Sequence, residues 1–390
     1  MQITGIKSIK SIGVVDTLDL EVDNKHHNFL GEGVVISNSH SYSYSTMAAK
    51  LVYLKFNHPK EFYLGCLKMA QDRADCAEEI NEISKEMRYL GYDLLPPDIL
   101  KSSIDFTVEG GGIRFGLGSV KGIAEKAIPK LKKFIKSEAS NKFEVFNASR
   151  MAKINIGIFS SLIQAGAINS LSSDRPKTVL EAQIWGLLTD REKKYCLENG
   201  ATYKFDLLSM LKNYSEWKDS KGVVIKDSRI ETIRKHFAGY WKIYQQNAQY
   251  SKLAAYFYEK KALGYSYTYS LKDIFEYKND YLANTKQIKN NKTERDKIDF
   301  VGEVISLTRA ISAKGEEYLK MVVGDEFGNQ EFMFYGYKFT KYLKEGGEVP
   351  EENSIVYIEG SKGTDIVWVD KMAVQDYNIY TKLSDLKNDE

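Results

Sequence analysis

The sequence predicts a multidomain α+β chain, and three observations lead there. First, its 390 residues exceed a single domain at roughly 100–200 residues each. Second, the apolar period changes along the chain: short β-like alternation at the start, helical spacing through the middle, and strand-like runs again from about residue 298. Third, a net charge of only +2 conceals a segregated distribution. Residues 101–170 hold 11 Lys/Arg against 5 Asp/Glu, or +6, whereas residues 299–373 hold 8 against 14, or −6. The first segment suits a phosphate backbone; the second, taken whole, does not.

Composition narrows the class. An apolar fraction of 43% with 28% charged residues belongs to a globular chain rather than a disordered or collagenous one. No run approaches the ~20 apolar residues of a spanning helix, and no charged start followed by an apolar run marks a signal peptide. Cys66, Cys76 and Cys196 form no CxxC pair, so neither a disulfide frame nor a zinc site is expected, and the expected compartment is a reducing cytoplasm.

The segments follow in order. Residues 1–38 alternate like short strands and end in Val34-Val35-Ile36-Ser37-Asn38. Residues 39–100 read as helices, with Ile80, Ile83, Met87 and Leu90 at helical spacing and Gly91 placed as a C-terminal cap. Residues 101–170 carry short helices punctuated by glycine. Residues 171–297 are mostly helical and finish in a polar Lys/Asn run, 284–297, that reads as a linker. Residues 298–373 contain five strand-like runs, Phe300–Ile305, Tyr318–Val323, Glu331–Tyr335, Ile355–Glu359 and Ile366–Val369, enough for a small barrel. Residues 374–390 read as a tail.

The first segment has a chemical reading. The Asn38 side-chain amide can attack its own carbonyl, forming a succinimide and cutting the chain before Ser39. The Ser39 hydroxyl can accept an acyl group brought from elsewhere. Both steps need proton transfer near neutral pH, which a histidine of the His26-His27 pair can supply, and an acid such as Asp19 can orient or activate the nucleophile. Each residue alone reads equally as part of a surface loop. Together, Asp19, His27-Asn28-Phe29 and Asn38-Ser39 resemble the C-terminal piece of a split intein, since Met1 opens the chain about 38 residues before the junction. The resemblance makes Asn38 the cyclising residue, Ser39 the first C-extein residue and His27 the histidine of the His-Asn-Phe block. Ser37 departs from the penultimate histidine of many inteins, which lowers the expected rate. The N-terminal intein half is not in these residues, so the piece needs a partner that carries it.

Physics alone reads Ser39–Phe62 as a tyrosine-flanked amphipathic helix broken at His58-Pro59. The order of landmarks adds to that. Ser39-His40-Ser41-Tyr42-Ser43-Tyr44 precedes Leu94-Leu95-Pro96-Pro97-Asp98-Ile99, then Ile113-Arg114-Phe115-Gly116-Leu117-Gly118-Ser119-Val120-Lys121-Gly122-Ile123, then Leu162-Ile163-Gln164-Ala165-Gly166-Ala167-Ile168 and Glu259-Lys260-Lys261-Ala262-Leu263-Gly264-Tyr265. This order resembles the C-terminal half of the family C DNA polymerase III alpha subunit over residues 39–373, most weakly over 171–250. Split inteins interrupt this family, and the two resemblances meet at Ser39.

The resemblance implies a β-rich intein C-fragment (1–38), a helical remainder of the fingers (39–100), a tandem helix-hairpin-helix region (101–170), a helical connector with linker (171–297), a five-stranded OB-type β-barrel (298–373) and a tail (374–390). It places His40 and Tyr44 on the nucleotide-binding side of the fingers; the bland alternative packs Tyr44 against Leu51. In the basic segment Gly122 marks one hairpin and Asn155 the second, within 147–167. Lys121, Gly122, Lys126, Lys130, Lys132, Lys133 and Asn155 are then the candidate duplex contacts, unless Lys130–Lys136 is merely a solvated helix face. Ala124 stands where the family usually has the hairpin glycine. In the barrel, Phe332 and Phe334 share a core-facing side, while Tyr335 and Tyr337 on the other side can stack bases; Phe339 is a further aromatic there. The −6 charge favours weak single-strand binding or a structural role.

No Asp-x-Asp occurs in residues 39–390, so the Mg²⁺ of phosphoryl transfer is expected in the palm of the spliced polymerase, with no cofactor in this chain. Gln245–Tyr250 lie where the family often carries a sliding-clamp peptide but lack its Leu-Phe pair, which leaves clamp binding open. The chain ends soon after the barrel, so the tau-binding domain of the family is not expected. The implied partners are the N-terminal polymerase half with its N-intein, primer-template DNA and dNTP, in the cytoplasm of a bacterial cell or of a viral host. The rival reading is a non-catalytic DNA-binding scaffold with helix-hairpin-helix and OB modules and a β-hairpin extension. A neighbouring reading frame encoding a palm followed by an N-intein separates the two.

Overall fold

The computed structural model describes residues 28–31, 34–37, 39–71, 73, 76–137, 139–275, 282–291 and 293–388, without side chains at 28–43 and 387–388. The chain divides into two compact units, Met1–Phe62 and Tyr63–Glu390.

In the first unit, β1 (Asn28–Gly31) and β2 (Val34–Ser37) form an antiparallel hairpin that pairs Asn28 with Ser37 and Phe29 with Ile36. Helix α1 (Ser39–Asn57) follows, and the Asn57 side chain donates to the Tyr53 carbonyl in its last turn at 2.9 Å. Pro59 then opens α2 (Pro59–Gln71).

The second unit begins with the buried Tyr63, Leu67 and Ala70 of α2 and continues into α3 (Cys76–Tyr89). The periodicity holds: Ile80 and Met87 are buried, and Gly91 leaves the helix at φ +87°. Leu90, the last residue of the expected stripe, is exposed, because α3 ends one residue earlier.

A small sheet gathers the motif strings. β3 (Leu94–Leu95) pairs in parallel with β5 (Gly112–Arg114), which pairs antiparallel with β4 (Thr107–Glu109). Arg114 is buried; it makes a bidentate pair with Glu109 at 2.8 and 2.6 Å and donates to the Pro96 carbonyl at 2.7 Å. The Ile99 N–H reaches the Ala167 carbonyl at 2.7 Å. Three strings dispersed over 74 residues therefore meet at one place.

Helices α4 (Ile128–Ile135), α5 (Lys142–Met151), α6 (Ile156–Gln164) and α7 (Arg175–Leu187) come next, then α8 (Asp190–Asn199) and α9 (Leu207–Lys212). A two-residue hairpin, β6 (Lys218–Asp219) with β7 (Gly222–Val223), leads into the long α10 (Asp227–Gln249), then α11 (Ser251–Leu263) and α12 (Leu271–Phe275).

The expected linker is partly a helix. α13 (Thr285–Asn290) is fixed by a capping box between Asn284 and Gln287, the Thr285 N–H donates to Asp325 at 2.6 Å, and Ile288 is fully buried in the barrel core. Lys and Asn dominate its solvent side and conceal one apolar anchor.

The barrel is closed, in the order β10-β12-β11-β8-β9, from β8 (Lys297–Ile311), β9 (Glu317–Asp325), β10 (Gly328–Tyr335), β11 (Ile355–Lys362) and β12 (Ile366–Gln375). All five expected strands exist, each longer than its apolar run. The one parallel pairing, β10 with β12, places Phe332 opposite Val367 and closes the cylinder. Bulges between Val304 and Ser306 and between Glu359 and Gly360 bend the two strands that must curve. Helix α14 (Gly336–Lys344) bridges β10 to β11 and packs Phe339 on Phe334, ring centroids 5.4 Å apart.

The expected tail is also ordered. Tyr377 packs on Phe257 at 5.1 Å, and the buried Asn247 side chain clamps the Tyr380 backbone at both its N–H and its carbonyl. A 3₁₀ turn, Leu383–Asn388, ends the described chain.

Candidate nucleic-acid interface

The basic segment builds an amphipathic surface from simple spacing. In residues 127–135, Ala127, Leu131 and Phe134 point inward at helical intervals and are buried. The lysines between and beside them, Lys126, Lys130, Lys132, Lys133 and Lys136, are exposed, as is Lys121. The buried side is an aromatic cluster. Phe134 meets Phe159 edge-on at 6.0 Å, Phe159 meets Phe146 at 5.8 Å, and Phe146 meets Trp185 at 5.8 Å, which ties α4 to α6, α5 and α7. Rigid packing beneath therefore supports the charges above.

Gly122 adopts φ +91°, a conformation a side chain would strain. It lies beside α6: a Cβ built on it would stand 3.7 Å from Ser161 Oγ. The two hairpins are thus neighbours. The Lys121 N–H donates to the Ala262 carbonyl at 2.8 Å, which anchors the first to α11. No side chain caps the turn Glu125–Ala127 or α4, but the Ala127 and Ile128 N–H groups are taken by the Ala124 and Glu125 carbonyls and Pro129 has none, so the exposed lysines rather than the start of α4 are the groups open to a phosphate. At Ala124 the backbone is extended, φ −74°, and needs no glycine.

The second hairpin begins earlier than expected, since α5 starts at Lys142. Asn155 serves as the cap of α6, its Oδ1 accepting the Ile158 N–H at 2.8 Å, so that oxygen is committed to the protein. Lys142 is removed from the surface altogether. It pairs with the fully buried Glu181 at 2.5 Å, and Glu181 also accepts the Leu207 N–H at 2.9 Å. Burial pushes the Glu181 carboxyl upward, against the pull of Lys142.

Beneath the hairpins lies a polar network that the sequence did not disclose. Arg175, at the start of α7, forms a buried ion pair with Glu259 of α11. Arg175 also donates to Thr268 at 2.8 Å and to the Gln164 carbonyl at 3.0 Å. Glu259 accepts from the backbone N–H groups of Tyr267 and Thr268 at 2.7 and 3.0 Å and from the Ser266 hydroxyl at 3.0 Å. The Glu-Lys-Lys-Ala-Leu-Gly-Tyr string was visible; its partner 84 residues away was not.

The barrel aromatics separate. Phe332 and Phe334 are core, as their spacing required. Tyr335 and Tyr337 do not share a face: Gly336, at φ +61°, turns the strand into α14, so the two-residue period stops there. Tyr335 stacks near Tyr318 at 6.1 Å and reaches Ser312 at 3.1 Å, while Tyr337 stands 78% exposed on the helix. Phe339 is fully buried and cannot stack a base.

Of the splicing residues, Asp19, His27 and Asn38 lie outside the described residues. Ser39 and His40 open α1, and their side chains also lie outside. Tyr44 is 65% and Leu51 48% exposed. At the expected clamp peptide, Asn247 is buried and bonded to Tyr258. Among the described residues no group of three or more His, Cys, Asp or Glu is placed to hold a metal ion. No described helix is long and apolar enough to cross a membrane.

Comparison with known proteins agrees with the hairpin geometry. A helix-hairpin-helix motif family matches residues 91–178. The chain is related to the alpha subunit of DNA polymerase III. It is 31% identical to that subunit of Aquifex aeolicus over 147 residues, 36% of this chain and 12% of that protein. The Chlamydia muridarum subunit is 27% identical over 228 residues, 57% of this chain and 18% of that protein. The Bacillus subtilis subunit is 29% identical over 140 residues, 36% of this chain and 12% of that protein. The matches thus span under a fifth of each relative's length. A mitochondrial single-stranded DNA binding protein of S. cerevisiae is matched over 22% of this chain and 100% of its own, at 16% identity and a TM-score of 0.18, too slight a likeness to carry an argument.

Proposed function

We propose that the chain is the C-terminal portion of a replicative DNA polymerase III alpha subunit, joined to a palm-bearing N-terminal half by trans-splicing through residues 1–38. The carrying observation is the pair of adjacent hairpins with exposed lysines over a fixed aromatic core, in a chain related to that subunit. Its role in the joined enzyme is to hold primer-template duplex by phosphate contacts that position without reading sequence. His40 and Tyr44 serve the nucleotide side; the exposure of Tyr44 suits contact better than packing.

Two features support the splicing step. The β1–β2 hairpin ends at Ser37, one residue before Asn38, and the helix begins at Ser39. A paired strand up to Ser37 and a helix from Ser39 are ordered elements on either side of the residue that would cyclise. The Asn38 amide nitrogen attacks its own carbonyl carbon, the bond to the Ser39 nitrogen breaks, and the amine of Ser39 is released to reclaim the acyl group from its hydroxyl.

The test mixes the full chain with a palm-bearing half that carries an N-intein. Mass spectrometry should find residues 1–38 released and a ligated product continuing at Ser39, and primer extension should appear only with that product. Asn38→Ala should stall at a branched ester. Residues 1–38 still attached to the intact chain, beside an N-half that splices with another C-intein, would sink the splicing reading. Extension by the unspliced chain alone would sink the division of labour.

A further inference from the structure

Helix α10 carries Phe237, Trp241 and Tyr244 at i, i+4 and i+7, one face of a helix. The rings form a ladder, with centroids 6.4 Å apart from Phe237 to Trp241 and 5.3 Å from Trp241 to Tyr244. They line a groove of about 520 Å³ together with Leu208 and Leu211 of α9. Trp241 is 37% exposed although it sits among apolar neighbours. Three cations, Lys177, Lys212 and Arg234, line the same groove, and no carboxylate does. Asp206 engages Lys177; Lys212 and Arg234 make no ion pair among the described residues.

We infer that this groove is a second nucleic-acid site, one that binds single-stranded DNA by stacking bases on Trp241 and Phe237. Charge complementarity selects the occupant: unspent cations beside flat apolar rings suit a polyanion that also offers flat apolar faces. A duplex does not fit, because its base faces are hidden within the stack. The surface also differs in kind from the lysine hairpins, where charge stands over buried aromatics and only phosphates can be met. Here the rings themselves are reachable. The inference does not depend on splicing.

The test uses the full chain and a 5′-fluorescein dT12, with a duplex of equal length and an rU12 in parallel, read by anisotropy. Trp241→Ala should weaken dT12 binding about tenfold, stacking being worth that much per base, and leave the duplex unchanged. Trp241→Phe, which keeps a ring, should stay within about threefold of the parent. Lys212→Ser with Arg234→Ser should flatten the salt dependence on dT12 by roughly 1.4, at about 0.7 per phosphate on a single strand. Unchanged dT12 affinity in Trp241→Ala overturns the inference. So does an equal loss on the duplex, a loss as large in Trp241→Phe with a lowered melting temperature, or binding of rU12 alone.

Discussion

The hairpin region and the barrel both carry many lysines and pair them to different extents. In the barrel five basic side chains are answered across or along elements, Arg309 by Glu317, Lys320 by Glu331, Lys338 by Asp370, Lys371 by Glu359 and Lys341 by Glu345, while Lys297, Lys314 and Lys344 make no ion pair among the described residues. In the hairpin region Lys121, Lys126, Lys130, Lys132 and Lys133 are exposed and make no ion pair among the described residues, while Lys142 and Arg114 are spent internally. The lesson is that net charge is a weaker guide to nucleic-acid contact than which charges remain unanswered. A paired surface cation presents a dipole to an incoming phosphate; an unpaired one presents its full charge.

The sharpest break of that comparison lies under the hairpins. Arg175→Met leaves the carboxylate of Glu259 buried without its cation, though still hydrogen-bonded to residues 266–268, and should cost about 3 kcal/mol. Melting followed by circular dichroism and hydrogen exchange over residues 160–178 should show it, with duplex binding lost at the same temperature. Adding Glu259→Gln should recover part of the loss. A change within about 0.5 kcal/mol, the range of an ordinary surface substitution, would mean that the network does not hold the region.

A smaller effect sharpens the contrast directly. Lys121→Ala, Lys132→Ala and Lys133→Ala together should weaken duplex binding regardless of sequence and flatten its salt dependence by up to roughly 2.7, at about 0.9 per phosphate. The matching barrel set, Lys320→Ala, Lys338→Ala and Lys371→Ala, should leave both quantities near the parent values. Equal losses from the two sets would show that pairing does not decide the matter.

The smallest effect belongs to the barrel alone. At the β9–β10 turn, burial, reinforced by the neighbouring Asp325 carboxylate, pushes the Glu326 carboxyl up to about 7. Asp325 is itself committed, accepting the N–H groups of Thr285, Phe327 and Gly328. A carboxyl near 7 when folded and about 4.3 when unfolded binds its proton more tightly in the native state, so it costs stability as pH rises through that window. Glu326→Gln should therefore raise stability at pH 8, on the order of 1 kcal/mol, and change little at pH 4. A gain that is the same at both pH values would place the cause elsewhere.

Much of the fold was legible because local patterns sufficed. Alternation in Tyr318–Val323 and Glu331–Tyr335 marked strands that each bury one face, and Phe332 and Phe334 were core by the two-residue period alone. The lysines from Lys130 to Lys136 read as one face of a helix, and the structure supplies its buried side, Leu131 and Phe134. Misreadings arose where one residue outweighed its neighbours. Ile288 makes a core helix of a polar run, Gly336 ends the period that seemed to carry Tyr337, and Asn247 turns a tail into a packed segment. The aromatic ladder on α10 drew no expectation from the sequence, since its i, i+4, i+7 spacing does not tell an open face from a covered one.

The sequence by itself determined the five barrel strands, the amphipathic stripe of α3, where positive charge concentrates, and that Gly91 and Gly122 stand at turns, because each depends on neighbours within a few residues. Tertiary structure alone decided which charges stay unanswered, that Arg175 meets Glu259, that the two hairpins lie side by side, and that the Trp241 ring is reachable. Those outcomes depend on contacts between residues far apart in the chain, and no local period encodes which distant group will arrive to neutralise a charge or cover a ring.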